Sequence, residues 1–312
     1  MEETKERSAV VDYLVYLAVR VVVCFLQALS FETAMQLASF LAWVVYKVDK
    51  RHREVATENL QKAFAGKLSD AEIDALVFAV YEHFCAVLIE IVHIPRKLHL
   101  QNYKKFARLH DPARMMEALL SGRPVLFVTG HFGNWEMAGY ALGLLGFHSH
   151  AIARPLDNPH LDEYLRSFRE RTGQKLLAKH GDFENIEKIL SEGGVIATLA
   201  DQDAGQRGLF VDFFGRPAST HKAVALLALE HNVPMVVFSA PKVAGTYRLW
   251  AIDVIYPEDY ADSPDPVREI TQRFTTGLEA MVRQAPEQYF WLHRRWKHAP
   301  PERRKKAKPV AA

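Results

Sequence analysis

Apolar residues fall into two long blocks near the start of the chain, then into short runs separated by amphipathic stretches. Val10 to Leu29 (VVDYLVYLAVRVVVCFLQAL) is almost continuously apolar, close to the ~20 residues a helix needs to cross a hydrocarbon core. In a second block, Phe31 to Val48, the residues Ala34, Leu37, Ala38, Leu41, Val44 and Val45 recur at helical spacing. Beyond Asp49 the pattern is that of a water-facing domain. Helical periodicity covers 54–65 and 69–93, the latter with Ser69 as N-cap before Asp70, Ala71 and Glu72. From about residue 110 the period alternates. A helix ending near Ser121 leads to a strand at Pro124–Thr129 (PVLFVT), a Gly-rich turn, and a helix from about Trp135 to Leu145. A strand over 148–153, helices over 158–172 and 185–192, and a strand over 195–200 follow. Then come a helix over 220–231 capped by Ser219 or Thr220, strands over 234–240 and 247–255, and a long helix over 266–284. Strands alternating with helices predict an α/β fold with one sheet covered on its faces by helices.

Charge changes the picture at the two ends. Asp12 and Arg20 interrupt the first apolar block, and a charge at the centre of a bilayer costs about 2.5–3.5 kcal/mol on insertion scales. A snorkelling Arg20, or one facing a partner helix, relieves that cost. Trp43 and Tyr46 sit near the end of the second block, as interfacial aromatics do, and Lys47, Lys50, Arg51 and Arg53 follow at once. We therefore expect 1–48 to be membrane-anchoring helices, 49–300 a domain on the cytoplasmic side of the membrane, and 301–312 a basic tail. The competing expectation is that both blocks are buried helices of a soluble protein. A signal peptide is disfavoured, because MEETKERS lacks a basic n-region and no small-residue cleavage site follows. Arg294, Arg295, Lys297, Arg303, Arg304, Lys305, Lys306 and Lys308 form a late basic run, either a solvated face or a contact with anionic lipid. Overall the 39 Lys and Arg nearly balance the 37 Asp and Glu, so no global basic field argues for nucleic acid. Cys24 and Cys85 form no CxxC pair, and neither a disulfide framework nor a metal or cofactor site is suggested.

The chemistry concentrates in Thr129–Glu136, TGHFGNWE. It lies at the carboxyl end of a predicted buried strand and opens a helix, where open α/β sheets bind ligands. Gly130 and Gly133 allow a sharp turn and close approach of a substrate. Asn134 is a natural N-cap, which would set the first free helix amides beside His131 to receive a developing oxyanion. His131 and Glu136 are five residues apart, so in a continuous helix they would not meet, but across a loop the carboxylate can fold back onto the imidazole. It would then fix the ring tautomer and leave the other nitrogen as a general base. The spacing is not HExxH, and no Ser or Cys stands at a strand-to-helix elbow. Direct deprotonation of an acceptor hydroxyl is the simplest chemistry left; hydrolysis, as in an esterase, would need a nucleophile or activated water not found here. The aromatic set Trp135, Tyr140, Phe213, Phe214, Tyr289, Phe290 and Trp291 is either the wall of an acyl channel or plain core.

The stretch HFGNWE resembles the signature of the bacterial lipid A biosynthesis acyltransferases, a branch of the lysophospholipid acyltransferase superfamily. So do NLQKAF at Asn59–Phe64, RPLDNP at Arg154–Pro159, FRER at Phe168–Arg171, ADQDAG at Ala200–Gly205, VDFFGRPA at Val211–Ala218 (the family's following loop) and PEQYFWLHRRWK at Pro286–Lys297. In order and spacing these span roughly residues 50 to 300; the N-terminal fifty match in character only. The resemblance implies a single mixed, mostly parallel sheet flanked by helices, of the glycerolipid acyltransferase type. It also implies a dyad of His131 as base and Glu136 as orienting acid, with Arg154 or Arg169, and Asp201, mattering for activity. An arginine suits a phosphate on the acceptor or on the donor's phosphopantetheine arm, and Asp201 would hold one of those arginines or a backbone turn. The implied partners are an acyl-acyl carrier protein (or acyl-CoA) donor, a lipid acceptor and the membrane, with no cofactor required. The alternatives are acylation of a lysophospholipid or glycolipid, and a non-catalytic lipid-binding protein with a degenerate dyad.

Overall fold

The computed structural model describes residues 8–178 and 183–301. Four helices come first: α1 (Ala9–Ala28), α2 (Phe31–Val48), α3 (Lys50–Ala63) and α4 (Asp70–Lys97). The α/β part follows as β1 (Ala107–His110), α5 (Ala113–Leu120), β2 (Val125–Thr129), α6 (Trp135–Leu144), β3 (His150–Ala153), α7 (Pro159–Glu170), β4 (Lys175–Ala178), α8 (Phe183–Ser191) and β5 (Val195–Leu199). It continues with β6 (Leu209–Phe213), β7 (Arg216–Thr220), α9 (Ala223–Glu230), β8 (Met235–Ser239), β9 (Lys242–Val243), β10 (Thr246–Ile255) and α10 (Pro266–Gln284). The main sheet runs β1-β10-β8-β2-β5-β3-β4, with β9 pairing on β10. Every neighbouring pair from β8 to β4 is parallel, as is β1 on β10; β10 meets β8 and β9 antiparallel. The expected mixed, mostly parallel sheet is what forms. Its centre, β2, is buried from Val125 to Val128, as suits a strand covered on both faces.

Ser69 caps α4 in a full capping box: its hydroxyl accepts from the Glu72 amide and Glu72 accepts from the Ser69 amide, an arrangement whose loss costs about 1 kcal/mol. The expected cap of α9 does not form. Lys222 occupies the N-cap without a side-chain bond, because Ser219 and Thr220 belong to β7 and their hydroxyls donate to the carbonyls of Gly205 and Ala218. The stretch expected as a loop at 211–218 is a β6–β7 hairpin, turned at Phe214 and Gly215 with φ of 57° and 72°, the paired positive φ of a two-residue type I′ connection.

The two apolar helices at the start behave differently. α2 lays Ala34, Ala38, Ala42 and Tyr46 into the same core as Leu60, Val77, Val80 and Trp291. The boundary expected at residue 48 therefore does not separate two packing units. α1 keeps Val10, Val11, Leu14, Val21, Val22 and Phe25 exposed, and it is long and apolar enough to anchor in a membrane. Its opposite face docks on α7: the Asn158 side chain donates to the Asp12 carbonyl at 2.8 Å, and Tyr13 and Tyr16 pack on His160. Arg20, whose charge disfavoured a spanning helix, lies 4.6 Å over the ring of Tyr164, a cation–π contact. In the late basic run, Arg295 is almost fully buried rather than part of a solvated face; 302–312 lie outside the described residues.

Candidate active site

β2 and β5 are adjacent and parallel, with Thr129 opposite Leu199. Two residues past each strand end stand His131 and Asp201, so the register alone sets them side by side. The Asp201 carboxylate accepts from the His131 amide at 2.7 Å and meets Nδ1 of its ring at 2.9 Å. The ring's Nδ1 thus holds a proton toward Asp201, and Nε2 is left as the basic nitrogen. This corrects the expected pairing. The carboxylate on the imidazole is Asp201, and Asp201 holds neither an arginine nor merely a turn. Gly130 makes room for it, since a Cβ there would lie 3.0 Å from three Asp201 atoms.

Glu136 points elsewhere because α6 is already helical from Trp135, which rotates the side chain away from the loop. It takes a two-pronged ion pair from Arg169 of α7, at 2.5 and 2.9 Å, and a bond from Trp135 Nε1 at 3.1 Å. Both partners are mostly buried, with side-chain exposures of 7% for Glu136 and 18% for Arg169. Arg154, by contrast, is 80% exposed and pairs with exposed Asp157. Of the two expected arginines, only Arg169 reaches the site.

Asn134 caps α6 as expected, its carbonyl oxygen accepting from the Met137 amide at 2.9 Å. It is wholly buried, its amide group donates to Glu90 at 3.1 Å, and so it frames the site rather than facing a substrate. Gly133 also frames. Its φ is +65°, its amide donates to the Gln288 carbonyl, and a Cβ would sit 2.1 Å from the Ala240 oxygen. The amides of Phe132 and Asn134 are likewise spent, on the Gly130 and Ala240 carbonyls. The amides of His131 to Asn134 are thus all taken, which leaves the first turn of α6, at Trp135 and Glu136, among the candidates for an oxyanion donor. Gly133→Ala is expected to collapse the loop, with activity lost and a drop in Tm in a thermal melt; wild-type values for both would show that the loop can move aside.

The C-terminal signature is the loop's clamp. Phe290 donates its amide to the His131 carbonyl at 2.9 Å, Tyr289 Oη reaches the Asp201 carbonyl, and Arg295 spans Ser219 and Thr220. Asn59 of α3 secures this segment with two 2.7 Å bonds, to the carbonyls of Trp291 and His293. The spacing of these distant motifs thus has a single physical cause. His83 of α4 was not singled out by sequence, yet its Nε2 bonds the Gly133 carbonyl at 3.1 Å. Burial pushes its pKa down, which keeps the ring neutral. A histidine on a helix of mixed pattern carries no local signal of that contact. Asp203 bonds His298 Nδ1 and the Gly205 amide, holding the loop after β5.

Burial acts to lower the pKa of His131, but the Asp201 carboxylate outweighs it, and the net shift is upward. For Asp201, burial acts upward and the His131 ring outweighs it, so its carboxyl is held below the usual range. Each group stabilises the charged form of the other.

Beside this pair, between α6 and the sheet, lies a pocket of about 80 Å³. Phe127, Ala138, Leu142, Phe147, Ala151 and Phe238 give it apolar walls, while Thr129, Trp135, Glu136 and Arg169 supply its polar side. Of the seven aromatics considered as a channel, only Trp135 lines it. Phe213, Phe214, Tyr289 and Trp291 are core, and Tyr140 stacks on Phe168.

Residues 1–298 match the sequence profile of the bacterial lipid A biosynthesis acyltransferases. The chain belongs to that family. The match includes the N-terminal helices, which resembled the family only in character. Among similar proteins, the lipid A biosynthesis lauroyltransferase of Escherichia coli (strain K12) is 29% identical over 57% of this chain and 58% of its own. The phosphatidylinositol mannoside acyltransferase of Mycobacterium tuberculosis (strain ATCC 25618 / H37Rv) is 27% identical over 78% of both chains. The lipid A biosynthesis palmitoleoyltransferase of E. coli (strain K12) is 25% identical over 80% of both. The protein is an acyltransferase.

Proposed function

We propose that the protein transfers a fatty acyl chain from acyl-acyl carrier protein to a hydroxyl of a lipid A precursor, with His131 as general base and Asp201 as the group that orients and charges it. The single observation that carries this is the His131–Asp201 pair, which stands two residues beyond Thr129 and Leu199, the ends of β2 and β5 that line the apolar pocket. Nε2 takes the proton of the acceptor hydroxyl as its oxygen attacks the thioester carbonyl. The carbonyl carbon gains the ester bond, and the thiolate of the carrier arm leaves and takes up the proton. Asp201 stabilises the imidazolium between those steps. The Glu136–Arg169 pair closes the polar side of the pocket and fixes the angle of α7 against α6.

The exposed apolar face of α1 sits in the membrane, in our reading on the cytoplasmic side of the inner membrane. Because α1 is docked along α7, whose sequence carries Asp162, Glu163, Arg166, Arg169 and Glu170, a spanning α1 would drag that polar helix into hydrocarbon. An in-plane α1, half embedded, avoids this. Val21→Glu with Phe25→Glu is expected to release the protein from liposomes into the supernatant on flotation; unchanged binding would place the anchor on another surface. Deleting 1–48 is a poor test, because it removes the core residues of α2 along with the anchor.

The deciding experiment incubates the protein with labelled acyl-acyl carrier protein and a tetra-acylated lipid A precursor, and weighs the lipid products. One added acyl mass, absent with His131→Ala, is expected. The phosphatidylinositol mannoside acyltransferase likeness covers about as much of this chain as the palmitoleoyltransferase likeness, which keeps glycolipid acceptors as the second reading. Product only with such an acceptor, or only with acyl-CoA, would replace the first. Ala151→Leu, which narrows the pocket, is expected to shift the preferred acyl chain shorter in a mixed-donor competition; an unchanged product profile would remove this pocket as the acyl site.

A further inference from the structure

A second cavity, of about 150 Å³, lies on the other side of α6, where α4 ends. Ile94, Leu98, Phe106 and Met137 give it apolar walls; Lys97, Lys105 and Lys242 bring positive charge to it. His93 lines the same space, is 3% exposed, and its Nε2 is buried without a hydrogen-bond partner. A buried imidazole nitrogen in that condition costs free energy unless a ligand satisfies it. One carboxylate, Glu90, faces the cavity, and it is fully occupied: it accepts from Lys242 at 2.5 Å, from the Tyr247 hydroxyl and from Asn134.

From this arrangement we infer that the cavity is a binding site for a single-chain anionic lipid, tail against Leu98, Phe106 and Met137, phosphate monoester head between Lys97 and Lys105 with its P–OH donating to the unpartnered His93 Nε2. Its place fits delivery from a bilayer. Gln27 of α1 donates to the Val92 carbonyl and Arg96 donates to the Gln27 carbonyl. The last turns of α1, which carry exposed Val21, Val22 and Phe25, therefore stand beside the end of α4. Charge complementarity selects an anionic head, and the apolar wall selects a tail over a bare ion. The site is separate from the acyl pocket, since Met137 and Ala138 face opposite sides of α6. It is nonetheless wired to the catalytic loop. Glu90 holds Asn134, the cap of α6, and the backbone of Lys242 is clasped by Gln288, whose carbonyl takes the Gly133 amide. A head group drawing Lys242 toward itself loosens one bond to Glu90 and shifts load onto Asn134.

The test uses the full chain in neutral maltoside micelles with dodecyl phosphate carrying a terminal diazirine, and maps crosslinks by peptide mass spectrometry. Saturable labelling of residues 94–106 and Met137 is expected, falling at least tenfold in Lys97→Gln/Lys105→Gln with no change in Tm. Millimolar inorganic phosphate should not compete. Labels confined to Leu142, Phe147 and Ala151, equal labelling by an uncharged dodecyl ether probe, or equal labelling of the double variant would overturn the site. Full competition by inorganic phosphate would assign it to a free anion and overturn the lipid. If the double variant melts early, Lys105→Glu alone, at an exposed position, gives the same reading.

Discussion

His131→Ala is expected to lower kcat/KM for acyl transfer by about 10²–10⁴-fold, the range a positioned general base contributes, while leaving Tm within a few degrees. Asp201→Asn separates this from loss of shape, because it keeps the hydrogen-bonding size and removes the charge. The proposed base must be neutral to act, and Asp201 raises the pKa of His131. Activity should therefore rise with pH through a midpoint above the ordinary value of about 6.5. In Asp201→Asn that midpoint should fall, along with the plateau rate. Glu136→Gln should move it less, since Glu136 acts on the ring only at a distance and ranks below Asp201 among the causes of the shift. A larger shift with Glu136→Gln than with Asp201→Asn would restore Glu136 as the orienting acid. Stability follows the same pair. The part due to the raised His131 pKa is present below about pH 6.5 and is lost as pH rises through the folded value. The part due to the lowered Asp201 pKa is present above about pH 3.9 and is lost as pH falls through the folded value. The pair therefore stabilises the fold most in the mildly acidic window between them.

The largest stability effect is expected at Arg169→Ala. It leaves the Glu136 carboxylate, 7% exposed, without its guanidinium, and breaking a buried pair from one side costs about 3–5 kcal/mol. Spread over a chain of this size, that lowers Tm by roughly 10 °C. Arg169→Leu combined with Glu136→Gln should recover much of the loss, because no charge is then stranded. A double variant as unstable as the single would show that Arg169 acts through packing of its alkyl stem. Activity read alongside discriminates further. If the pair only fixes α7 against α6, the double variant regains kcat together with Tm.

What could be read from the chain and what could not divides by the range of the interaction. The strand–loop–helix at Val125–Leu144 was legible because its signals are local: a buried apolar run, glycines for the turn, Asn134 for the cap. The His131–Asp201 pair was not, since the partners are joined only by the register of β2 on β5 across seventy residues. Five-residue proximity made Glu136 the natural candidate, and the early start of α6 removed it. The β6–β7 hairpin hid because Phe214 occupies a positive-φ position where Asn or Asp usually advertises the turn. Both β1 and β4 are four-residue strands at the two edges of the sheet, where no long buried run marks them. FRER at Phe168–Arg171 is legible as a basic cluster, but only the packing of α7 on α6 shows that Arg169 turns inward.

The clamp on the catalytic loop has a consequence for synthesis. Gly133 needs the Gln288 carbonyl, the His131 carbonyl needs the Phe290 amide, and Asn59 holds Trp291 and His293 in reach of both. A nascent chain emerges N-terminus first at about 5–20 residues per second, so β2, β5 and their paired side chains are made several seconds before the segment that secures them. The loop around His131 is therefore secured only once residues 286–293 have been made and have folded back onto it.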